Sequence, residues 1–328
     1  MKLRELFRTL SLPKTGNERV FNATKIPGIS TARVGVDFEG NPVLLLSVVS
    51  GAKDKRSPKN TRLKNVQVVH NAQCTVTEES LTVREVFTVI SFICDETELR
   101  DYFLNVSETF LKSLGENATE VHVVETLNKF VEIFRLLSEP PKKTAQGLWA
   151  ELFLIDFCKD ARTLLKFWHN SPEKKFDFDA GDEKIEVKSN ANYDRIHHFT
   201  NDQLNPGATT TALVASVFVV ALISGRSILQ LVESISAKLE SDFELISKLN
   251  TIVCQTLGNS FEQSSKIQFD FEIASDSVRF YAVQDIPKIA PAHIPKGVTE
   301  VKYTSNMSET NPVVVDQLAS KGSLFSGI

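Results

Sequence analysis

Phe176-Asp177-Phe178-Asp179-Ala180-Gly181-Asp182-Glu183-Lys184-Ile185-Glu186-Val187-Lys188-Ser189 constrains the fold of this chain more than any other stretch, because it reads as a short hairpin. Side chains on a strand alternate between faces, so Asp177 lies opposite Phe176 and Phe178, while Glu186 and Lys188 lie opposite Ile185, Val187 and Ser189. The apolar face can enter a core. The polar face then holds Asp177, Glu186 and Lys188 together. Eight residues, Phe178 to Ile185, separate the two acids, enough for a strand, a turn at Gly181 and an antiparallel return. Two carboxylates beside a lysine are what a Mg²⁺-dependent phosphodiester hydrolase needs. Their hard oxygens favour Mg²⁺ or Mn²⁺, and Lys188 would orient a water or stabilise developing charge.

An acid two residues before a lysine is a weak signal alone. It occurs four times, at Glu173, Asp182, Glu186 and Glu300, so context has to choose. Glu173 falls in a polar run and Asp182 in the Gly181 turn. Glu300-Val301-Lys302 is the fairer rival, with Val298, Val301 and Tyr303 able to form a strand and Phe269-Asp270-Phe271-Glu272 offering a distant acid. It has no tight hairpin.

Upstream, Pro140-Pro141 should stop one helix and let Thr144 cap the next, Ala145 to Phe157. That helix is apolar on almost every side, so it should be buried. Glu151 inside it would be costly without a partner; the plain alternative to a site role is pairing with an arginine or reaching water at the helix edge. Gly147 sits one turn before it on the same face.

Gln146-Gly147-Leu148-Trp149-Ala150-Glu151-Leu152, a strand over Leu164 to Trp168, the acid hairpin, His197-His198-Phe199 and Gln203-Leu204 together resemble the PD-(D/E)XK nuclease superfamily. Within it, the chain is similar to an uncharacterised bacterial family, and Phe280 to Pro287 with Val301-Lys302-Tyr303 resemble that family's tail. The resemblance implies an α/β, overall mixed α+β, restriction-endonuclease-like core with helix, three strands, helix, strand order. It implies Asp177 as first acid and Glu186-Val187-Lys188 as the E-x-K. Glu151 would be the accessory helix carboxylate, and Asp177, Glu186, Glu151 and the Val187 carbonyl would be the metal ligands. The activity implied is that of a Mg²⁺- or Mn²⁺-dependent DNA endonuclease in restriction or phage defence, acting with protein partners or as a homodimer. The alternative is an inactive nuclease-fold subunit that binds DNA or scaffolds a complex. His197 and His198 could contact the scissile phosphate or protonate the leaving oxygen, His198 being the candidate catalytic residue; equally, they could be one buried and one exposed structural histidine. Gln203 either orients substrate or caps a turn. His70, His122, His169 and His293 read as isolated and structural.

At 328 residues the chain can hold two packed modules. Residues 1–140 are expected to be β-rich and then helical, serving substrate positioning or docking, and residues 141–328 nuclease-like. The expected β segments are Arg33 to Phe38 and Pro42 to Val49 around Glu39-Gly40-Asn41, then Val66 to Val76 and Leu81 to Ile93. Helices follow over Glu96 to Leu114 and Thr119 to Ser138 with Gly115-Glu116-Asn117 between them. In the second module a short helix near Thr200 to Leu204 precedes a doubly buried strand from Thr211 to Ile223. Helices over Ser227 to Leu239 and Asp242 to Leu257 follow, then a polar loop from Gly258 to Ser265. A hairpin of Ile267 to Ala274 and Val278 to Val283 and a mobile end from Ser305 complete the expectation.

The N-terminus interleaves charge with apolar residues and reads as no signal peptide. The longest apolar run, Ala212 to Ile223, falls short of the ~20 residues a membrane helix requires. A cytoplasmic location without membrane attachment is expected. Cys74, Cys94, Cys158 and Cys254 are far apart and form no C-x-x-C pair, which suits free thiols rather than a zinc site. A net charge of −4 leaves DNA binding to local patches, the best being Lys53 to Lys64, a run whose Ser, Pro and Asn residues read first as a solvated loop tip.

Overall fold

A computed structural model describes residues 2–14, 19–47, 59–114, 120–169, 175–240, 242–314 and 324–328 of the chain. The basic residues 53–58 and the expected turn at Gly115 to Asn117 lie outside them. The chain is mixed α+β and divides into two compact units, Met1–Pro140 and Pro141–Ile328.

The first unit opens with helix α1 (Leu3–Arg8). Six strands follow: β1 (Val20–Ile26), β2 (Ile29–Val36), β3 (Pro42–Leu46), β4 (Thr61–Arg62), β5 (Val66–Glu78) and β6 (Leu81–Phe92). They form one sheet in the order β1-β2-β3-β6-β5-β4, and a parallel β1–β5 pairing closes it on itself. The β2–β3 turn is set by Asp37, whose Oδ1 accepts the amides of Glu39 and Asn41, and by Gly40 at φ +87°. Inside the closed sheet pack Phe21, Val43, Leu45, Val76 and Phe87. Helices α2 (Thr97–Leu114) and α3 (Glu120–Leu136) follow, joined by an aromatic cluster in which Phe103 meets Phe130 and Phe134 at ring-centroid distances of 5.8 and 5.5 Å.

The second unit begins with α4 (Ala145–Phe157) and α5 (Ala161–Phe167). Strands β7 (Phe178–Asp179), β8 (Glu183–Asn190) and β9 (Ile196–Thr200), helix α6 (Asn201–Leu204), and strands β10 (Thr211–Phe218) and β11 (Ala221–Ser227) come next. Then come α7 (Ile228–Leu239), α8 (Phe243–Leu257), α9 (Phe261–Ser265), β12 (Gln268–Phe269), α10 (Phe271–Ser277), β13 (Arg279–Ala282) and β14 (Lys302–Asn306). The central sheet runs β13-β10-β8-β7, with β8 and β10 parallel and the outer pairs antiparallel. Helix α4 packs on β8 and α7. Among the described residues no helix is long and apolar enough to cross a membrane. Among the described residues Cys74, Cys158 and Cys254 are buried and in no disulfide, and Cys94 is half-buried.

Several expected elements take another form, each for a local reason. The segment read as a Leu164–Trp168 strand is helix α5. Asp160 caps it by accepting the amides of Arg162 and Thr163, and only Trp168 keeps a β-bridge, to Phe178. The expected hairpin over 267–283 is interrupted because Asp270 caps α10, so β12 pairs with β11 and β13 with β10. The doubly buried strand stops at Phe218; beyond it β11 is largely exposed, Ile223 being 98 % accessible. Gly258 to Ser265 is helical rather than a loop, anchored by buried Phe261. His197 and His198 lie in β9, the first buried and the second exposed. Of the end from Ser305, residues 315–323 lie outside the described residues, whereas β14 runs to Asn306, and Leu324 and Phe325 are buried, their amides donated to Glu183 Oε2 at 2.7 and 3.1 Å.

Candidate metal centre

The hairpin supplies the first half of the site. Asp179 Oδ1 accepts the Gly181 amide and Gly181 adopts φ +88°, so the chain reverses and β7 pairs with β8 through Phe178–Ile185 and Asp179–Lys184. One step further in the same register sets Asp177 opposite Glu186. Asp177 Oδ2 accepts the Val187 amide at 2.9 Å, which fixes the first acid to the E-x-K strand. Lys188 Nζ donates to Glu186 Oε1 at 2.8 Å and lies 5.1 Å from the centre of the Phe199 ring. Gln203 Nε2 donates to the same Glu186 oxygen at 2.7 Å, while Gln203 Oε1 accepts the Thr200 amide, so this side chain both caps α6 and holds the acid.

The other half comes from α4. Thr144 caps the helix by accepting the Gly147 amide, as its position before the apolar run requires. Glu151, 2 % exposed, is satisfied by donors from outside its own helix: Trp168 Nε1 at 2.8 Å and Lys143 Nζ at 2.5 Å, with His169 Nε2 at 2.7 Å. The partner is thus neither an arginine nor the solvent edge. Lys143 Nζ also reaches Asp177 Oδ1 at 2.6 Å and so bridges the two acids.

Three residues that the motif reading leaves aside therefore stand at the site. Lys143 precedes the α4 cap by one position; a lysine there, before a buried helix carrying one glutamate, is a usable signal. His169, read as isolated, is set at φ +41° with its amide donated to the Asp177 carbonyl at 2.9 Å, a placement no periodicity reports. Trp168 is positioned by its bridge to Phe178. His198 points the other way: β9 turns His197 and Phe199 inward and leaves His198 exposed, with Nδ1 2.9 Å from Thr304 Oγ1. His197 is buried against Ser216 Oγ at 2.8 Å, and burial, with Lys188 nearby, pulls its pKa down to about 4.

Charge is unevenly spread over the acids. Burial, reinforced by the Asp177 charge, pushes the Glu186 carboxyl up to about 8 despite Lys188. Asp177 is raised by burial and then by Glu151. Glu151 goes down, because its bonds with His169 and Lys143 outweigh the burial that opposes ionisation. Three buried carboxylates in one place repel each other unless cations join them.

The donor set fits a divalent cation. Ligand atoms of Glu151, His169 and Asp177 all lie within 4.8 Å of one another. Glu186 stands outside that group, opposite Asp177 in the hairpin register, and its Oε2 is buried without a hydrogen-bond partner among the described residues, an oxygen that a cation would satisfy. Carboxylate oxygens suit Mg²⁺ or Mn²⁺, and the imidazole widens the choice toward Mn²⁺. The rival Glu300-Val301-Lys302 lacks these surroundings: Glu300 and Lys302 are exposed, and Asp270 serves as the α10 cap.

The family model described as "Putative PD-(D/E)XK family member, (DUF4420)" matches residues 3–308. No curated protein and no solved structure matches the chain.

Proposed function

The chain belongs to this PD-(D/E)XK family, and on that premise we propose that it is a Mg²⁺- or Mn²⁺-dependent DNA endonuclease acting in restriction or phage defence. The observation that carries the reading is the Oε2 of Glu186, buried without a hydrogen-bond partner among the described residues, on a carboxyl that faces Asp177 and accepts from Lys188. Asp177, Glu186, Glu151 and the Val187 carbonyl would hold the ion, with His169 joining them. When bound, the ion supplies Lewis-acid activation of the phosphodiester. Lys188, held against Glu186 and the Phe199 ring, keeps a positive charge where negative charge develops on the phosphate. Gln203 fixes the Glu186 carboxyl so that its free oxygen keeps one direction. His198, exposed on β9, would contact a substrate phosphate rather than the buried acids. Residues 1–140 would position DNA or dock a partner, with Lys59, Arg62 and Lys64 as first phosphate contacts.

One observation favours a second reading. Lys143 already neutralises Glu151 and Asp177 internally, as an inactive nuclease-fold subunit would require. Incubation with supercoiled DNA, modified and unmodified, with and without Mg²⁺ or Mn²⁺, separates the two. Metal-dependent nicking or linearisation that Glu186→Ala abolishes supports the endonuclease. DNA binding without cleavage under every condition supports the scaffold.

A further inference from the structure

The Lys143 ammonium holds the same two carboxylates that a cation needs. It is bonded to Glu151 Oε1 at 2.5 Å and to Asp177 Oδ1 at 2.6 Å, both from side chains that are almost fully buried. Glu151 and Asp177 are two of the three residues whose ligand atoms lie within 4.8 Å of one another. An ammonium and a divalent ion cannot both rest against one pair of oxygens in a site of low dielectric, since their charges repel strongly at that separation.

Lys143 is also built to leave. Its side chain is 37 % exposed while its two partners are 3 % and 7 % exposed. It stands at the head of α4, next to the cap residue Thr144, and the backbone beside it is fixed by the Lys142 amide donated to the Thr256 carbonyl at 2.8 Å. A four-carbon stem with a point charge can swing outward from a fixed backbone without disturbing the helix. Glu151 cannot move in the same way, because the buried Trp168 indole still holds its other oxygen at 2.8 Å.

We propose that Lys143 is the resident counter-ion of the metal-free centre, and that a divalent cation gains Glu151 and Asp177 only by displacing its ammonium. The inference rests on the endonuclease reading and adds to it a competition between lysine and metal. Lys143 is then a positioning residue that keeps the acids together until the ion arrives, and it lowers the apparent metal affinity.

The test uses the full chain without DNA, so that metal binding is read directly. Mn²⁺ affinity is measured by calorimetry on the wild type and on Lys143→Met and Lys143→Gln. Removing the competing charge is expected to tighten the Mn²⁺ Kd about tenfold, and the melting temperature, lower than wild type in EDTA, should rise more on adding Mn²⁺. Should both variants fail to fold, the wild type decides: acetylation of Lys143 by an N-hydroxysuccinimide ester, quantified by mass spectrometry, should increase severalfold when Mn²⁺ is added. An unchanged or weaker Kd in the folded variants, or labelling that Mn²⁺ leaves unchanged or reduces, overturns the role of Lys143 while the metal site stands. Absence of Mn²⁺ binding in wild type and variants alike overturns the endonuclease reading and this inference with it.

Discussion

Two E-x-K tripeptides in the second unit, Glu186-Val187-Lys188 and Glu300-Val301-Lys302, share their middle residue and their spacing and differ in everything around them. Glu186 lies in the central sheet, 5 % exposed, opposite Asp177 and bonded by Lys188 and Gln203. Glu300 is exposed at φ +54°, just before β14, which pairs with β9 in a separate two-stranded sheet. What separates them is the environment that makes ionisation costly: an acid that burial keeps from water holds on to its proton or seeks a cation, whereas an exposed one has water. The tripeptide marks a candidate, and the partners that surround it decide the chemistry.

The comparison predicts opposite outcomes for matched substitutions. The largest difference is in cleavage. Asp177→Ala, Glu186→Ala and Lys188→Ala should each reduce the DNA cleavage rate by about a thousandfold or more, measured on supercoiled plasmid with circular dichroism as the check on folding. Retained activity in any folded variant removes that residue from the mechanism. Stability comes next. Glu151→Ala leaves the buried Trp168 indole N–H without its acceptor and should cost about 2 kcal/mol in urea unfolding, whereas Glu300→Ala should change it by less than ~0.5 kcal/mol. Equal losses would mean that burial is not what distinguishes the two regions.

A smaller effect is the pH dependence of the metal-free protein. Burial raises Glu186 to about 8 in the folded chain from 4.5, so the folded state binds this proton more tightly than the unfolded state does. The resulting stabilisation is complete below about pH 4.5 and is lost as pH rises through 8. In EDTA, the stability of the wild type relative to Glu186→Gln should therefore fall across that window. A flat difference would show that Glu186 ionises freely in the folded chain. Smallest of all is Lys302→Ala, expected to cleave within about twofold of the wild type, as a surface substitution does. Loss of cleavage there, with Lys188→Ala active, would move the centre to the other tripeptide.

The residues differ in how legible they are for physical reasons. Asp177, Glu186 and Lys188 stand on one face because strand alternation is written in the order of residues, and the Gly181 turn fixes the register. The burial of Glu151 follows from an apolar helix. Lys143 and His169 belong to irregular backbone at the edges of helices, where no period applies, and they reach the site through tertiary approach alone. The Leu164–Trp168 misreading has the same root: a short apolar run suits a strand or a helix, and the Asp160 cap settles the matter locally. Likewise Asp270 turns an apparent hairpin strand into α10.

Glu183, at the head of the strand that carries Glu186 and Lys188, has a bearing on the timing of synthesis. Its Oε2 accepts the amides of Leu324 and Phe325, the first of them 141 residues further along the chain. On a ribosome, β7, β8 and β10 emerge long before those donors do, and until they arrive a carboxylate destined for burial has no partner, a deficit of roughly 1–3 kcal/mol. The strand that bears Glu186 and Lys188 is thus tied at its head to residues translated well after it, and its packing is complete only once Leu324 and Phe325 have been made.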